Sequence, residues 1–376
     1  MNSYFPDSND IHTPDAEQRR RERQQRRAHR RRMAMLRRVR VVGLIALALL
    51  TIPAAMALIV RPDTQPAPEA PTEPAAVEVA EPVTEPATEA PTEPPEPEWA
   101  ITRTADTAAV REDFPSEYVL LLDAETGELL AERDYTARIN PASMTKILTL
   151  LVAAEHVTPE ALEHGVFTMT RAVGDYCYVN NCSVVGYEVD EVVPMVELFY
   201  GCILCSGADA CMGLAQTIFG SHEAMVEAMN TKLEELGLSD TTHFVNCVGL
   251  YDEDHYSTLE DIAIIMKAAL ENDLCRQVLE TKVYYSVATP QHPDGQVLSN
   301  LFARRIQNRD TGSVEVFSAK TGYVEESGFC AASYGKTPDG RGYICVTGKS
   351  TGTNQSIRDH AELYQTYCPQ FSETES

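Results

Sequence analysis

The most informative stretch of this chain reads Asn140-Pro-Ala-Ser-Met-Thr-Lys-Ile-Leu-Thr-Leu-Leu-Val-Ala-Ala-Glu-His-Val157. Its apolar residues recur at helical spacing after the Asn-Pro pair, which predicts a helix that begins near Ser143. On such a helix Lys146 lies on the same face as Ser143, one turn away. The positive end of a helix favours an alkoxide and any oxyanion beside it. The pair is therefore a candidate nucleophile and base.

Lysine accepts a hydroxyl proton only when it is neutral, a form that burial and a second nearby cation favour. Ser-x-x-Lys alone is weak evidence, because Ser333-Tyr-Gly-Lys336 also fits the pattern but lies in a predicted strand and turn. Ser143 is preferred because it lies at the entry to an apolar helix.

Two further polar motifs follow along the chain. Ser206-Gly-Ala-Asp-Ala210 lies at a predicted helix junction and supplies a third hydroxyl. Lys320-Thr-Gly322 ends a predicted edge strand. There the cation and the hydroxyl can bind a substrate carboxylate, and the glycine lets a substrate backbone come close. Each motif is nearly uninformative in isolation.

Taken together and in this order, Ser143-Met-Thr-Lys146, Ser206-Gly-Ala208 and Lys320-Thr-Gly322 resemble the three active-site boxes of the penicillin-binding D-alanyl-D-alanine carboxypeptidases. These enzymes are low-molecular-mass relatives of the serine β-lactamases. The resemblance extends over about residues 115–367 and includes the segment Gly249-Leu-Tyr-Asp-Glu-Asp-His-Tyr-Ser-Thr258. It implies a serine-type hydrolase with a β-lactamase/transpeptidase-like fold. The sequence contains no metal or nucleotide motif, so we expect no metal and no cofactor.

The resemblance also implies a role for each residue. Ser143 would attack the carbonyl of the penultimate D-Ala and form an acyl-enzyme, with Lys146 as the base. Ser206 would pass the proton to the departing D-Ala. The implied substrate-binding residues are Lys320, Thr321, Gly322, Tyr323 and Arg358. Backbone N–H groups of Ser143 and Tyr323 would form the oxyanion hole. Arg358 resembles a distal arginine that binds the terminal carboxylate; a solvated residue near a helix start is the alternative.

The middle box departs from the family pattern, which is usually Ser-x-Asn, because Ala208 occupies the third position. That asparagine normally orients the lysine base and the substrate amide, so we expect an effect on rate and substrate positioning. Tyr178-Val-Asn180 is a rival middle box, but it lies in a predicted cysteine-containing loop soon after Ser143.

The remaining periodicities predict an α+β domain over residues 106–376, with an antiparallel sheet flanked by helices and an all-helical block. A β-hairpin is predicted at 118–134, and successive strands are predicted at 314–323, 327–335 and 342–350. Helices are predicted at 142–157, 193–205, 209–220, 222–238, 258–273 and about 355–367.

Three segments precede this domain. Residues 41–60 carry no charge and would form a helix of about 30 Å, enough to span a bilayer; a cleaved signal peptide is the alternative. Residues 1–40 carry 12 Arg against 5 acids, which predicts a cytoplasmic tail. Residues 61–105 are rich in Pro, Glu and Thr and predict a disordered stalk. We therefore expect a single-pass membrane protein whose catalytic domain lies outside the cytoplasm.

Charge and cysteine content narrow the remaining possibilities. The net charge of −25 argues against a nucleic-acid partner. All ten cysteines follow residue 176, and an even number in an exported domain permits disulfides. Cys177 and Cys182 are the best local candidates for a disulfide. Cys202, Cys205 and Cys211 are expected to pack in the core around the second box.

The sequence therefore predicts a membrane-tethered serine D-Ala-D-Ala carboxypeptidase that trims peptidoglycan stem peptides and is acylated by β-lactam antibiotics. A β-lactamase or a DD-endopeptidase of the same fold is the alternative, as is a catalytically weak penicillin-binding or wall-binding protein. No Glu-x-x-Leu-Asn segment that could supply a deacylating glutamate occurs, so we expect slow deacylation.

Overall fold

The computed structural model describes residues 99–371. The predicted tail at 1–40, the predicted membrane span at 41–60 and most of the predicted stalk at 61–105 lie outside the described residues and stay predictions. Within 99–371, the helices are all too short or too polar to cross a membrane.

The described residues form ten strands and ten α-helices. The strands are β1 (Ala108–Ala109), β2 (Tyr118–Asp123), β3 (Leu129–Arg133), β4 (Val166–Thr168), β5 (Val192–Pro194), β6 (Val283–Tyr285), β7 (Val297–Ser299), β8 (Glu315–Val324), β9 (Gly328–Lys336) and β10 (Gly342–Ser350). The helices are α1 (Lys146–His156), α2 (Pro159–His164), α3 (Arg171–Val179), α4 (Met195–Leu204), α5 (Ala208–Ile218), α6 (His222–Glu235), α7 (Leu259–Glu271), α8 (Asp273–Glu280), α9 (Leu301–Ile306) and α10 (Thr353–Tyr367).

A six-stranded sheet in the order β1-β3-β2-β10-β9-β8 forms the centre of this domain. The predicted hairpin is confirmed as β2 and β3, and Gly127 closes its turn with a φ of +75°. The three predicted C-terminal strands are confirmed as the antiparallel meander of β8, β9 and β10, with β8 at the sheet edge. The pairing is antiparallel except between β1 and β3, which are parallel.

The two faces of the sheet bury different cores. Because side chains alternate along β2, Leu120 and Leu122 point towards the helical block, whereas Val119 and Leu121 point towards α9 and α10. Both faces are therefore covered, and the apolar run at β2 is buried throughout.

Helix α1 forms the centre of the helical block and packs against α4, α5, α6 and α7. Its first eight residues, including the charged Lys146, are buried. The predicted helices that became α4, α5, α6, α7 and α10 are confirmed, with ends shifted by a few residues.

The prediction of a cysteine-containing loop around Tyr178 is wrong, because α3 occupies residues 171–179. The Thr170 hydroxyl accepts the N–H of Val173 at 3.3 Å and caps the helix. Tyr178 is 75% exposed at its end, and the Asn180 amide donates to Tyr176 O at 2.9 Å. The amide of the rival Tyr178-Val-Asn180 box is thus hydrogen-bonded within its own helix end.

Candidate active site

Ser143 lies in a 3-10 turn, Ala142–Thr145, which leads directly into α1. The Asn140 side chain shapes this turn: its oxygen accepts the Ala142 N–H at 3.0 Å and its nitrogen donates to His255 O at 2.9 Å. Ala142 has a φ of +48°, an uncommon conformation for a residue with a side chain. The helix predicted at 142–157 starts at Lys146, because residues 142–145 form the 3-10 turn, and Ser143 lies within that turn.

Lys146 is only 2% exposed and lies beneath this turn. Its Nζ lies 3.1 Å from Ser143 Oγ and 2.6 Å from Val248 O. The predicted contact between nucleophile and base is therefore present. The lysine is fixed from the other side by a backbone carbonyl.

The turn that carries Val248 was not assigned a role from the sequence. The Asn246 side-chain oxygen accepts the N–H groups of Val248 at 3.2 Å and Leu250 at 2.9 Å, and its nitrogen donates to Leu250 O at 3.0 Å. Gly249 has a φ of +73°, and a Cβ there would lie 2.0 Å from Ala142 O. The turn thus packs directly on the Ser143 turn and aims Val248 O at Lys146.

Ser206 lies in the short connection between α4 and α5. Its φ is +55°, in the left-handed region that a non-glycine residue adopts only when its surroundings enforce it. Hydrogen bonds hold the neighbouring backbone: Gly207 N–H donates to Gly201 O at 3.0 Å, and Ala208 N–H donates to Ser183 O at 2.8 Å. The Ser206 hydroxyl is thereby directed at Lys320.

Lys320 Nζ lies 2.9 Å from Ser206 Oγ and 2.7 Å from Thr321 O. Burial, and secondarily the charge of Lys146, lowers the pKa of Lys320 to about 7. The two lysines are therefore near enough for the charge of Lys146 to disfavour the ammonium form of Lys320. Lys320 is thus the second cation expected near Lys146.

Gly322 allows β8 to lie against the Ser143 turn. A Cβ at this position would lie 2.9 Å from Pro141 O and 3.0 Å from Ser143 N. The next residue, Tyr323, is 55% exposed and stacks on Phe329 with ring centroids 4.4 Å apart. The close approach that the structure shows at Gly322 is that of the protein's own turn, and the predicted approach of a substrate backbone stays a prediction.

Ala208 places a buried methyl group at the start of α5, where the family pattern has an amide. The following residue, Asp209, is used structurally. Its carboxylate accepts the N–H groups of Val185 and Gly186, each at 3.0 Å. This carboxylate fixes the segment 183–187 against the Ser206 loop.

The structure does not place Arg358 in this cluster. It lies on the exposed side of α10, and its guanidinium donates to Gln355 Oε1 at 3.1 and 2.5 Å. Its predicted part in carboxylate binding therefore has no contact that supports it.

The serine of the second Ser-x-x-Lys sequence, Ser333, is buried in the hydrophobic core. Ser333 Oγ lies 2.7 Å from His360 Nδ1 and 2.8 Å from Tyr364 OH, and all three side chains are buried. Ser333 lies in strand β9 and not at the start of a helix, which agrees with the choice of Ser143 as the candidate nucleophile.

Comparisons with known proteins agree with the three-box resemblance. A family model described as D-alanyl-D-alanine carboxypeptidase matches residues 104–350. The D-alanyl-D-alanine carboxypeptidase DacF of Bacillus subtilis (strain 168) is 31% identical over 234 residues, which cover 62% of this chain and 57% of that protein. DacA of Escherichia coli (strain K12) is 33% identical over 165 residues, covering 42% and 40%. The chain therefore spans about half the length of these curated relatives.

Solved structures show the same fold. The Streptomyces K15 DD-transpeptidase superposes with a TM-score of 0.61 at 25% identity, covering 68% of this chain and 98% of that one. A D-alanyl-D-alanine carboxypeptidase from Mycobacterium tuberculosis H37Rv superposes with a TM-score of 0.57 at 23% identity, covering 68% and 93%.

Proposed function

Because this chain belongs to the D-alanyl-D-alanine carboxypeptidase family, we propose that it is a serine DD-carboxypeptidase. It removes the terminal D-Ala from peptidoglycan stem peptides through an acyl-enzyme. The observation that carries the proposal is the 3.1 Å contact between Ser143 Oγ and buried Lys146 Nζ. A hydroxyl in contact with a buried amine at a helix entry is placed for nucleophilic attack on a carbonyl.

In the acylation step, Lys146 Nζ accepts the Ser143 proton while Ser143 Oγ bonds to the carbonyl carbon of the penultimate D-Ala. Backbone N–H groups of Ser143 and Tyr323 stabilise the oxyanion. Ser206 passes its proton to the nitrogen of the departing D-Ala and receives the Ser143 proton from Lys146. In deacylation, water attacks the ester carbonyl and gives a proton to Lys146, which passes it to Ser143 Oγ as the C–Oγ bond breaks.

Lys320 and Thr321 bind the terminal carboxylate of the substrate. Lys320 is held between the Ser206 hydroxyl and Thr321 O, so its ammonium lies beside the group that protonates the leaving amine. Arg358 stays a predicted contributor to binding of the same carboxylate on the family resemblance alone, since its guanidinium donates to Gln355 Oε1 in the structure.

The direct test is release of D-Ala from a peptide ending in D-Ala-D-Ala by the full chain. We expect release from this peptide, none from its L-Ala-L-Ala counterpart, and none by Ser143→Ala. Ser239→Ala, a change at an exposed serine outside the site, is the matched control and should retain wild-type turnover. Equal release by Ser143→Ala and the control would contradict the proposal.

A penicillin-binding protein with little turnover is the second candidate, because Ala208 replaces the amide that normally orients the base and the substrate. For this candidate we expect penicillin acylation without D-Ala release. If the protein is a β-lactamase, the acyl group should be lost rapidly. If it is a DD-endopeptidase, the same serine should cleave cross-linked stems.

We also propose that residues 41–60 anchor the protein in the cell membrane, with the N-terminus in the cytoplasm. The uncharged run and the arginines that precede it support this topology. The catalytic domain then lies outside the cytoplasm, where peptidoglycan and β-lactams are found.

A further inference from the structure

Two cysteines lie side by side beneath the candidate site. The sulfur atoms of Cys202 and Cys211 are 3.4 Å apart, and both residues are fully buried. Cys202 lies in α4 and Cys211 in α5, the two helices that the Ser206 connection joins. Cys202 Sγ also lies 3.8 Å from Lys146 O. The pair thus lies between the helix of the base and the loop of Ser206.

We infer that Cys202 and Cys211 form a disulfide that closes a short covalent loop around Ser206. An S–S bond is about 2.05 Å long, so the two sulfur atoms need to approach by about 1.4 Å. The two helices are already in close contact, since a Cβ at Gly201 would lie 3.0 Å from Ala210 Cβ. The bond would hold together the two helix ends that impose the positive φ of Ser206.

Formation of the Cys202–Cys211 bond needs an oxidant, and the disulfide of another molecule is sufficient. Cys202 and Cys211 lose two protons and two electrons and form one S–S bond, while the disulfide of a small molecule or an oxidoreductase is reduced to two thiols. Burial raises the pKa of Cys211 well above its usual value, so thiolate exchange is slow once the helices have packed. The bond therefore forms as α4 and α5 dock, in an oxidising compartment.

The bond encloses Ser206 in a ring of residues 202–211. A cross-link of this size restricts the unfolded chain and raises the melting temperature by about 5 °C or more. It leaves the contacts of Ser143 and Lys146 in place, so penicillin acylation persists in the oxidised protein. Cys177 and Cys182 also contact each other, and the test must separate the two pairs.

The test is a disulfide map of the full chain isolated from the membranes of an expressing bacterium, with oxidised glutathione and an alkylating agent present. Cleavage after acidic residues cuts at Glu197, Asp209 and Glu223, which puts Cys202 and Cys211 on separate peptides. We expect these two peptides to be linked before reduction and separate after it, with Cys205 alkylated. Alkylation of both Cys202 and Cys211, or a linkage of Cys177 to Cys182 alone, would overturn the inference.

Stability gives a second readout. A dithiol reductant should lower the melting temperature of the wild-type chain by about 5 °C more than that of Cys202→Ala. Cys275→Ala removes a buried thiol away from this pair and should keep the wild-type response. Equal responses in Cys202→Ala and the wild type would also contradict the inference.

Discussion

Lys320 is a buried lysine whose surroundings disfavour the charged form of its side chain. It is 2% exposed, and burial together with Lys146 lowers its pKa to about 7. Between this value and its ordinary value of 10.5, the unfolded chain binds a proton that the folded chain does not. At pH below about 7 the buried ammonium group of Lys320 destabilises the folded state. This penalty decreases as pH rises from about 7 to 10.5, so the free energy of unfolding increases through that window. Activity has the opposite dependence, because only the ammonium form attracts a carboxylate.

We therefore expect kcat/KM for a D-Ala-D-Ala peptide to fall as pH rises through about 7, since kcat/KM reports groups of the free enzyme. Lys320→Arg keeps its charge at higher pH and should move this decline upward by about two pH units or more, with a lower kcat. The measurement is a pH profile of both enzymes. A decline at the same pH in both would exclude Lys320 as its source.

Asn246 acts on Lys146 through the backbone. Removing its side chain in Asn246→Ala leaves the Val248 and Leu250 N–H groups without their partner, so Val248 O loses its fixed position. We expect penicillin acylation to slow about tenfold or more. Asn246→Asp keeps the acceptor oxygen and should restore part of the rate.

The matched control for this prediction is Asn230→Ala. Asn230 also holds a backbone segment of the same region, through the N–H and C=O of Phe244 at 3.0 and 2.8 Å. It should lose comparable stability but little acylation rate. Equal rate losses in the two variants would show that Asn246 acts only on stability.

The approach of strand β8 to the Ser143 turn depends on Gly322. Gly322→Ala places a Cβ within 3.1 Å of three atoms of that turn, so the strand and the turn must separate. We expect acylation to slow about a hundredfold, because a shift of about 1 Å in a reacting geometry has a cost of this size. The acylation rate and the melting temperature should be measured together.

Gly174→Ala is the control for Gly322. Gly174 lies within α3, and an added Cβ there meets no atom within 4 Å. This variant should keep the wild-type rate and gain slightly in stability, since alanine favours a helix. If Gly322→Ala acylates as fast as Gly174→Ala, the close approach of β8 is unimportant for the chemistry.

The elements with strong periodicity could be predicted from the sequence, and the short or polar ones could not. The apolar runs of α1, α4, α5 and α7 and the alternation of β2 gave their positions to within a few residues. Helix α3 was missed because Gly174 and Asp175 weaken its pattern, although Thr170 supplies a cap signal. Three-residue strands such as β4 are too short for any period to show.

The candidate active site could likewise be predicted only where its residues belong to a recognisable sequence pattern. Ser143, Lys146, Ser206 and Lys320 belong to motifs, and the structure brings them together in two contacting pairs. The contact of Val248 O with Lys146 could not be predicted from the sequence, because any residue type supplies a backbone carbonyl. Asn246 could have been suspected only from an Asn before a Gly-containing turn.

Charge is distributed very unevenly along the whole chain. Residues 1–40 carry a net charge of +7, whereas residues 61–100 carry −9 and residues 101–376 carry −23. The arginines of residues 1–40 support the proposed cytoplasmic position of the N-terminus, because Lys and Arg beside a membrane span are retained on that side.

We expect the full chain to stay with membranes after alkaline extraction, and a variant lacking residues 41–60 to lose this association. In intact spheroplasts, added protease should digest the domain that contains Ser143 and spare residues 1–40. Release of the full chain by alkali, or protection of the domain from protease, would contradict the proposed topology.

We propose that Ser143, activated by Lys146, is the nucleophile of this protein. The most direct measurement is mass spectrometry of the full chain treated with penicillin, first intact and then as mapped peptides. We expect one acyl group per chain, located on Ser143, long-lived after removal of free penicillin and absent from Ser143→Ala. An unmodified chain, or an acyl group that Ser143→Ala retains, would contradict it.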